Sequence, residues 1–181
     1  MENDIIIKLK ELEKESVLRG IPIIGSEKGT WLYNKIKETK PLKILEIGTA
    51  NGYSGILLGY EGAELVTIEL DKNIAREAEK NFKKFGINAK IIIGDAVEEV
   101  KKISKNKREF YDLIFIDFYK RGYIKILEEC IKLVKKNGYI IADNITFEGC
   151  QDYKEAVLKD IRLETEIIEI RDGLSWSKKL I

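Results

Sequence analysis

The sequence predicts an α/β fold with a seven-stranded, mostly parallel sheet, helices on both faces and an antiparallel hairpin at its carboxyl end. Three observations predict it. Five short apolar runs, at residues 43–48, 64–70, 89–94, 111–117 and 139–143, alternate with longer stretches of helical periodicity. The runs are apolar almost throughout, as strands covered on both faces of a parallel sheet must be. Two further runs, 164–170 and 174–180, are joined by Arg171-Asp172-Gly173 with no helix between them, and Asp-Gly between strand-like runs marks a hairpin.

Helical stretches at 5–18 and 27–38 precede the first strand, and Ser26, after Gly25, is placed to cap the second of them. Between the strands, helices are expected at 53–60, 72–85, 96–103 and 122–136. Asp71 directly precedes the second of these four and favours its amino terminus. Pro22 and Pro41 fall at loops, and no repeat, low-complexity tract or linker interrupts the chain. One domain over 1–181 is therefore expected, with 1–40 a helical segment covering the site and 41–181 the α/β core.

Composition narrows the function. The 181 residues, 44% of them hydrophobic, suffice for an independent core. Lys plus Arg at 32 against Asp plus Glu at 31 leaves a net charge of +1, too weak a field to favour DNA or an anionic membrane. Cys130 and Cys150 follow no C-x-x-C spacing, and one pair could hardly staple a domain of this size, so a reducing cytoplasm is expected. No apolar run approaches the ~18 residues that span a bilayer, and Met1-Glu2-Asn3-Asp4 opens without a basic and then apolar leader, so neither insertion nor export is expected. Histidine is absent, which removes histidine triads, imidazole zinc ligands and histidine bases and leaves proton transfer to Lys, Asp, Glu, Tyr or Cys.

In open α/β sheets ligands gather at the carboxyl ends of the strands, and the informative residues lie there. Residues 44–54 run from a strand through Gly48-Thr49-Ala50-Asn51-Gly52 into a helix. That G-x-x-x-G spacing is not the G-x-G-x-x-G that lets a pyrophosphate approach the backbone. Glu46 at the base of the loop suits a cationic amino-acid moiety and a sulfonium better than a phosphate, and an ordinary strand-to-helix turn is the plain alternative. Glu69, near the end of the second strand, can accept both hydrogen bonds of a ribose diol, or it can simply favour the next helix as Asp71 does. Asp95, in Gly94-Asp95-Ala96, can reach an adenine amino group or cap the following helix.

The fourth strand ends in Asp117-Phe118-Tyr119-Lys120 and the fifth in Asp143-Asn144. Adjacent parallel strands lie ~4.8 Å apart, so Asp117, Asp143 and the Asn144 side-chain carbonyl can converge on one ion. Oxygen ligands without His or Cys suit a hard divalent cation, Mg²⁺, with Mn²⁺ or Ca²⁺ as substitutes, and do not suit zinc. Against this, Asp-Asn after a strand is a common turn pair, and an isolated lysine such as Lys120 is usually a solvated side chain.

Leu45-Glu46-Ile47-Gly48 with Gly52-Tyr53-Ser54, then Glu69 and Asp95-Ala96, resemble the catechol and caffeoyl-coenzyme-A O-methyltransferase family, and the likeness runs from Ile23 onward. Ile24-Gly25-Ser26-Glu27-Lys28-Gly29 resembles the family's segment that closes over the cofactor. The resemblance implies a Rossmann-like class I methyltransferase fold with S-adenosylmethionine as methyl donor. It implies that Glu46, Gly48 and Ser54 hold the methionine portion, Glu69 the ribose, and Asp95 and Ala96 the adenine edge. Asp117, Asp143 and Asn144 would hold the cation, with Asp117 bordering the cofactor too, and Lys120 would be the general base towards the acceptor hydroxyl.

The implied acceptor is a small catechol-like or phenolic molecule. Some relatives methylate a hydroxylated tRNA nucleoside, which keeps tRNA as a second acceptor class, and a homodimer is a family expectation. A non-catalytic cofactor-binding or interaction protein with the same fold is a third reading, disfavoured by the intact Asp117, Lys120, Asp143 and Asn144. Tyr119 stands where many relatives carry an acid, and Phe118 where some carry a polar residue. Phe118, Tyr119, Phe147 and Trp176 could wall a flat acceptor or pack in the core. Lys101, Lys102, Lys105, Lys107 and Arg108 read as a solvated face, with RNA contact the sharper alternative. Cys150 has no histidine partner and reads as structural.

Overall fold

The computed structural model describes residues 4–181; Met1, Glu2 and Asn3, on which the reading of the chain's start partly rests, lie outside them. Helices α1 (Asp4–Leu18) and α2 (Gly25–Thr39) lead into β1 (Lys43–Ile47), α3 (Tyr53–Gly59), β2 (Glu64–Glu69), α4 (Lys72–Phe85), β3 (Ala89–Ile93) and α5 (Ala96–Asn106). There follow β4 (Tyr111–Ile116), α6 (Tyr123–Leu133), β5 (Val134–Asp143), α7 (Gln151–Lys159), β6 (Leu163–Ile168) and β7 (Leu174–Lys179), with short 3-10 turns at Lys120–Gly122 and Glu148–Cys150. The strands form one seven-stranded sheet in the order β3-β2-β1-β4-β5-β7-β6. β7 is antiparallel to β5 and β6, and the other pairings are parallel. The strand order reverses between β1 and β4, where an open sheet of this kind leaves a crevice for ligands.

Alternation along each strand divides the apolar side chains between the two faces. Leu45, Ile47, Ile114 and Ile116 face α5, α6 and α7 and pack with Val100, Ile126 and Val157. Ile44, Leu113 and Phe115 face α1 to α4 and pack with Leu9, Leu32, Leu57 and Phe82. The amino-terminal helices thus share a core with the sheet.

Two local expectations are corrected, and one element was not foreseen. α2 begins at Gly25 with Ile24 in the cap position, and Ser26 lies inside the helix; the Glu13 carboxylate of α1 accepts the Ser26 amide instead, at 2.9 Å. The helix expected over 122–136 stops at Leu133, because the β-branched, buried Val134 turns extended (φ −75°, ψ 139°) and opens β5. Asn137 then takes φ 64° and the register against β4 shifts, which absorbs the polar stretch that looked helical. α7 left little trace in the sequence, since Tyr153 and Val157 are the buried side chains of a nine-residue, largely polar segment.

Candidate active site

Register builds the site. Ile47 of β1 pairs with Ile116 of β4, and Ile116 with Ala142 of β5, so Gly48, Asp117 and Asp143 come side by side at the carboxyl edge of the sheet. A cavity of about 870 Å³ opens there. Gly48, Ser54, Glu69, Asp95 and Ala96 line it on one side, Asp117 and Lys120 on another, and Ile21, Pro22 and Ile23 of the α1–α2 connection complete the wall.

The turn after β1 requires its first glycine. Gly48 has φ +101°, and a Cβ there would overlap the Asp117 carbonyl. Ala50 takes φ 45°, and its amide donates to Glu69 Oε2 at 2.8 Å. The other oxygen of Glu69 accepts the Asp71 amide at 2.9 Å, while Asp71 caps α4 by accepting the amides of Asn73 (2.7 Å) and Ile74 (3.1 Å). One amide per oxygen fixes the Glu69 carboxylate on the cavity wall and leaves it lone pairs for a diol. Asp95 caps α5 through the Glu98 amide at 3.0 Å and also lines the cavity, so the capping role does not remove its carboxylate from the site.

Glu46 does not reach the wall. It is fully buried beneath α3, and its two oxygens accept from Ser54 Oγ (2.6 Å) and Thr67 Oγ1 (2.7 Å). Burial pushes its carboxyl up to about 8, against those two hydrogen bonds and with help from the charges of Asp117 and Glu69. It meets the cavity through the Ser54 hydroxyl rather than directly.

The 3-10 turn after β4 brings Lys120 back over the strand tip, where its Nζ donates to Asp117 Oδ1 at 2.6 Å and to Tyr123 Oη at 3.0 Å. Tyr123 is buried and stacks on Phe118 with ring centroids 5.4 Å apart; burial raises its phenol well above the usual range and keeps it neutral. Asp143, also buried, accepts the Asn144 amide at 2.7 Å on Oδ1, and the same oxygen takes the ammonium of Lys28. Lys28 also grips Asp172 Oδ1, and Asn144 Nδ2 donates to Asp172 Oδ2.

Sequence reasoning missed Lys28 and Asp172 as site residues. Lys28 lies four residues after Ile24 and four before Leu32, on the buried stripe of α2, and a lysine at a core position needs a buried partner. That spacing was a usable signal. Asp172 was hidden in the hairpin turn that its own Asp-Gly step announced.

Among the described residues no group of three His, Cys, Asp or Glu side chains is disposed to hold a metal. A cation held by Asp117, Asp143 and the Asn144 side-chain oxygen would have only two carboxylates among its ligands, and of the three residues Asp117 lines the cavity while Asp143 and Asn144 lie behind it. These residues fit a cation: burial first, and then the charge of Asp117, raise the Asp143 carboxyl even against Lys28, and a dication relieves that repulsion.

The four aromatics do not form one wall. Phe118 and Tyr119 line the cavity, Phe147 is exposed, and Trp176 packs against Tyr139 (4.1 Å) and Trp31 (5.7 Å) on the α2 side of the sheet. Lys101, Lys102, Lys105 and Arg108 are exposed; Lys102 pairs with Glu99 at 2.7 Å, and Lys107 lies 3.7 Å from the Phe110 ring centroid. Cys150 is buried, and burial pushes its thiol up to about 11.

Residues 2–180 match the family model described as O-methyltransferase. Catechol O-methyltransferase B of Danio rerio is 33% identical over 144 residues, covering 74% of this chain and 54% of the relative. Tapetum-specific methyltransferase 1 of Arabidopsis thaliana is 28% identical, over 96% of this chain and 86% of the relative. The chain thus spans about half the length of the fish protein and most of the plant one. The O-methyltransferase from Bacillus cereus, solved in complex with SAH, aligns with a TM-score of 0.85 over 99% of this chain and 92% of that one at 22% identity, which speaks to the fold. Among the described residues no helix is long and apolar enough to cross a membrane. With the strand order, the site at the β1–β4 reversal and the family match over nearly its whole length in agreement, the chain belongs to the O-methyltransferase family, on the Rossmann-like fold of class I methyltransferases.

Proposed function

We propose that this chain transfers the methyl group of S-adenosylmethionine to a hydroxyl of a small catechol-like or phenolic acceptor, with a divalent cation, Mg²⁺, at Asp117, Asp143 and Asn144. The observation that supports it most is Lys120 Nζ, 2.6 Å from Asp117 Oδ1, on the wall of the cavity that Glu69 also lines. In this reading Glu69 binds the ribose diol, Gly48 and Ser54 border the methionine portion with Glu46 behind Ser54, and Asp95 and Ala96 meet the adenine edge. The cation, when bound, supplies Lewis acidity towards an acceptor hydroxyl.

Lys120, as the neutral amine left once its ammonium proton has passed to solvent, accepts the acceptor's hydroxyl proton at Nζ. The oxygen then attacks the sulfonium methyl; the C–O bond forms as the S–CH₃ bond breaks, and its electron pair leaves on the sulfur of S-adenosylhomocysteine. Phe118 and Tyr119 offer apolar surface to a flat ring, and orientation of the two reactants contributes up to ~7 to 11 kcal/mol in favourable cases.

A labelled-methyl transfer assay with and without EDTA, against phenolic acceptors and undermodified tRNA, tests donor, metal and acceptor together. Catechol-like acceptors should be methylated with Mg²⁺, and EDTA or Asp117→Ala should abolish turnover. Lys120→Met should lower kcat by roughly 10²- to 10⁴-fold, the usual worth of a general base. Turnover that persists in EDTA would reject the metal, and labelling confined to tRNA would replace the acceptor.

A further inference from the structure

Each oxygen-bearing group of the proposed cation site has one atom already tied down. Asp117 Oδ1 is held by Lys120. Asp143 Oδ1 is held by both the Asn144 amide and Lys28. The Asn144 amide nitrogen is held by Asp172, and since only the nitrogen of that side chain can donate to a carboxylate, its carbonyl oxygen is turned the other way. Asp117 Oδ2, Asp143 Oδ2 and Asn144 Oδ1 remain, one oxygen from each group. Asp172 spends one oxygen on Lys28 and the other on Asn144, so a single lysine-carboxylate pair reaches both residues of the β5 tip. Lys28 is 2% exposed, and its stem is fixed by the buried stripe of α2.

We infer that Lys28 and Asp172 are positioning residues that aim Asp143 and Asn144 at the cation, and so tie the amino-terminal helix α2 to the metal site. This rests on the metal reading proposed above. Partners that orient metal ligands from behind typically govern metal affinity by 10- to 100-fold. The alternative is that Lys28 is a competing cation that merely occupies Asp143. The two accounts predict opposite signs. A positive charge beside a dication repels it, so removing a mere competitor strengthens metal binding, whereas removing a positioning group weakens it.

The experiment measures Mn²⁺ binding by electron paramagnetic resonance of the free ion, with S-adenosylhomocysteine binding measured separately by calorimetry without metal. Lys28→Met and Asp172→Asn should each weaken Mn²⁺ binding by about 10- to 100-fold with S-adenosylhomocysteine affinity unchanged, and Lys28→Arg should recover part of the loss. Mn²⁺ binding by Lys28→Met that equals or exceeds wild type overturns the inference and leaves the metal reading standing. A wild-type protein that binds no Mn²⁺ removes the metal reading and this inference with it. If both Lys28→Met and Asp172→Asn also lose S-adenosylhomocysteine, the pair is structural and the positioning role is refuted.

Discussion

Glu46 is a carboxyl whose proton the folded chain holds more tightly than the unfolded chain does. Its ordinary value is 4.5 and burial beneath α3 raises it to about 8. Between those pH values the folded state carries the extra proton, so this group's contribution to stability is fully present below the lower value, declines as pH rises through the window, and is gone above the upper one. One proton can give a slope of at most about 1.4 kcal/mol per pH unit. Glu46→Gln keeps a neutral group of the same shape between Ser54 and Thr67 and removes the titration. Urea unfolding across this window should therefore show wild type losing stability relative to Glu46→Gln with rising pH; parallel profiles would mean the carboxyl is not desolvated as described. The same burial keeps Glu46 off the cavity wall, where the sequence had placed it. The motif places an acid at the base of the loop, but only the packing of α3 and Phe82 over it puts the Ser54 hydroxyl in between.

The turn between β1 and α3 carries the tightest steric demand in the site. Gly48→Ala must place a methyl group against the Asp117 backbone at φ +101°. Backbone atoms of two paired strands cannot yield as a side-chain tip can, so the substitution should cost about 3 kcal/mol or more, read as a lowered urea midpoint, and should distort Asp117 along with it. A near-wild-type midpoint would show that the strand tips are looser than their pairing implies. This element was legible in the sequence because strand, glycine turn and helix are local and each leaves its own residue types. The strands, α4 with Asp71 at its cap, and the hairpin were legible for the same reason. What was illegible is non-local. Ser26, expected to cap α2, lies inside the helix with its own amide held by Glu13 from another helix, and the end of α6 is decided by the pairing of Val134 with Tyr111. Lys28 meets Asp143 across 115 positions of sequence and Asp172 across 144, distances at which residue patterns carry no pairing information.

At the scale of the molecule, the cavity draws its walls from the α1–α2 connection, the loops after β1, β2, β3 and β4, and α6, so a bound cofactor would link segments from residue 21 to residue 125. A ligand that needs all of these in place binds the folded chain and not the unfolded one, and must raise its melting temperature by mass action. S-adenosylhomocysteine at about 100 times its Kd adds about 2.7 kcal/mol. For a chain of 181 residues that corresponds to a rise in Tm of about 5 to 10 °C. In the function proposed above, Glu69 is the side chain on which the ribose contact would depend, because its two oxygens are preset by the Ala50 and Asp71 amides. Glu69→Gln replaces one acceptor with a donor, and a lost charged hydrogen bond is worth about 1.5 to 3 kcal/mol, so at the same ligand concentration the rise in Tm should shrink to less than half. Differential scanning fluorimetry with and without the ligand reads both numbers. An undiminished rise in the Glu69→Gln protein would move the ribose elsewhere along the cavity, while no rise in wild type would mean that the space between these loops is not where the nucleotide sits.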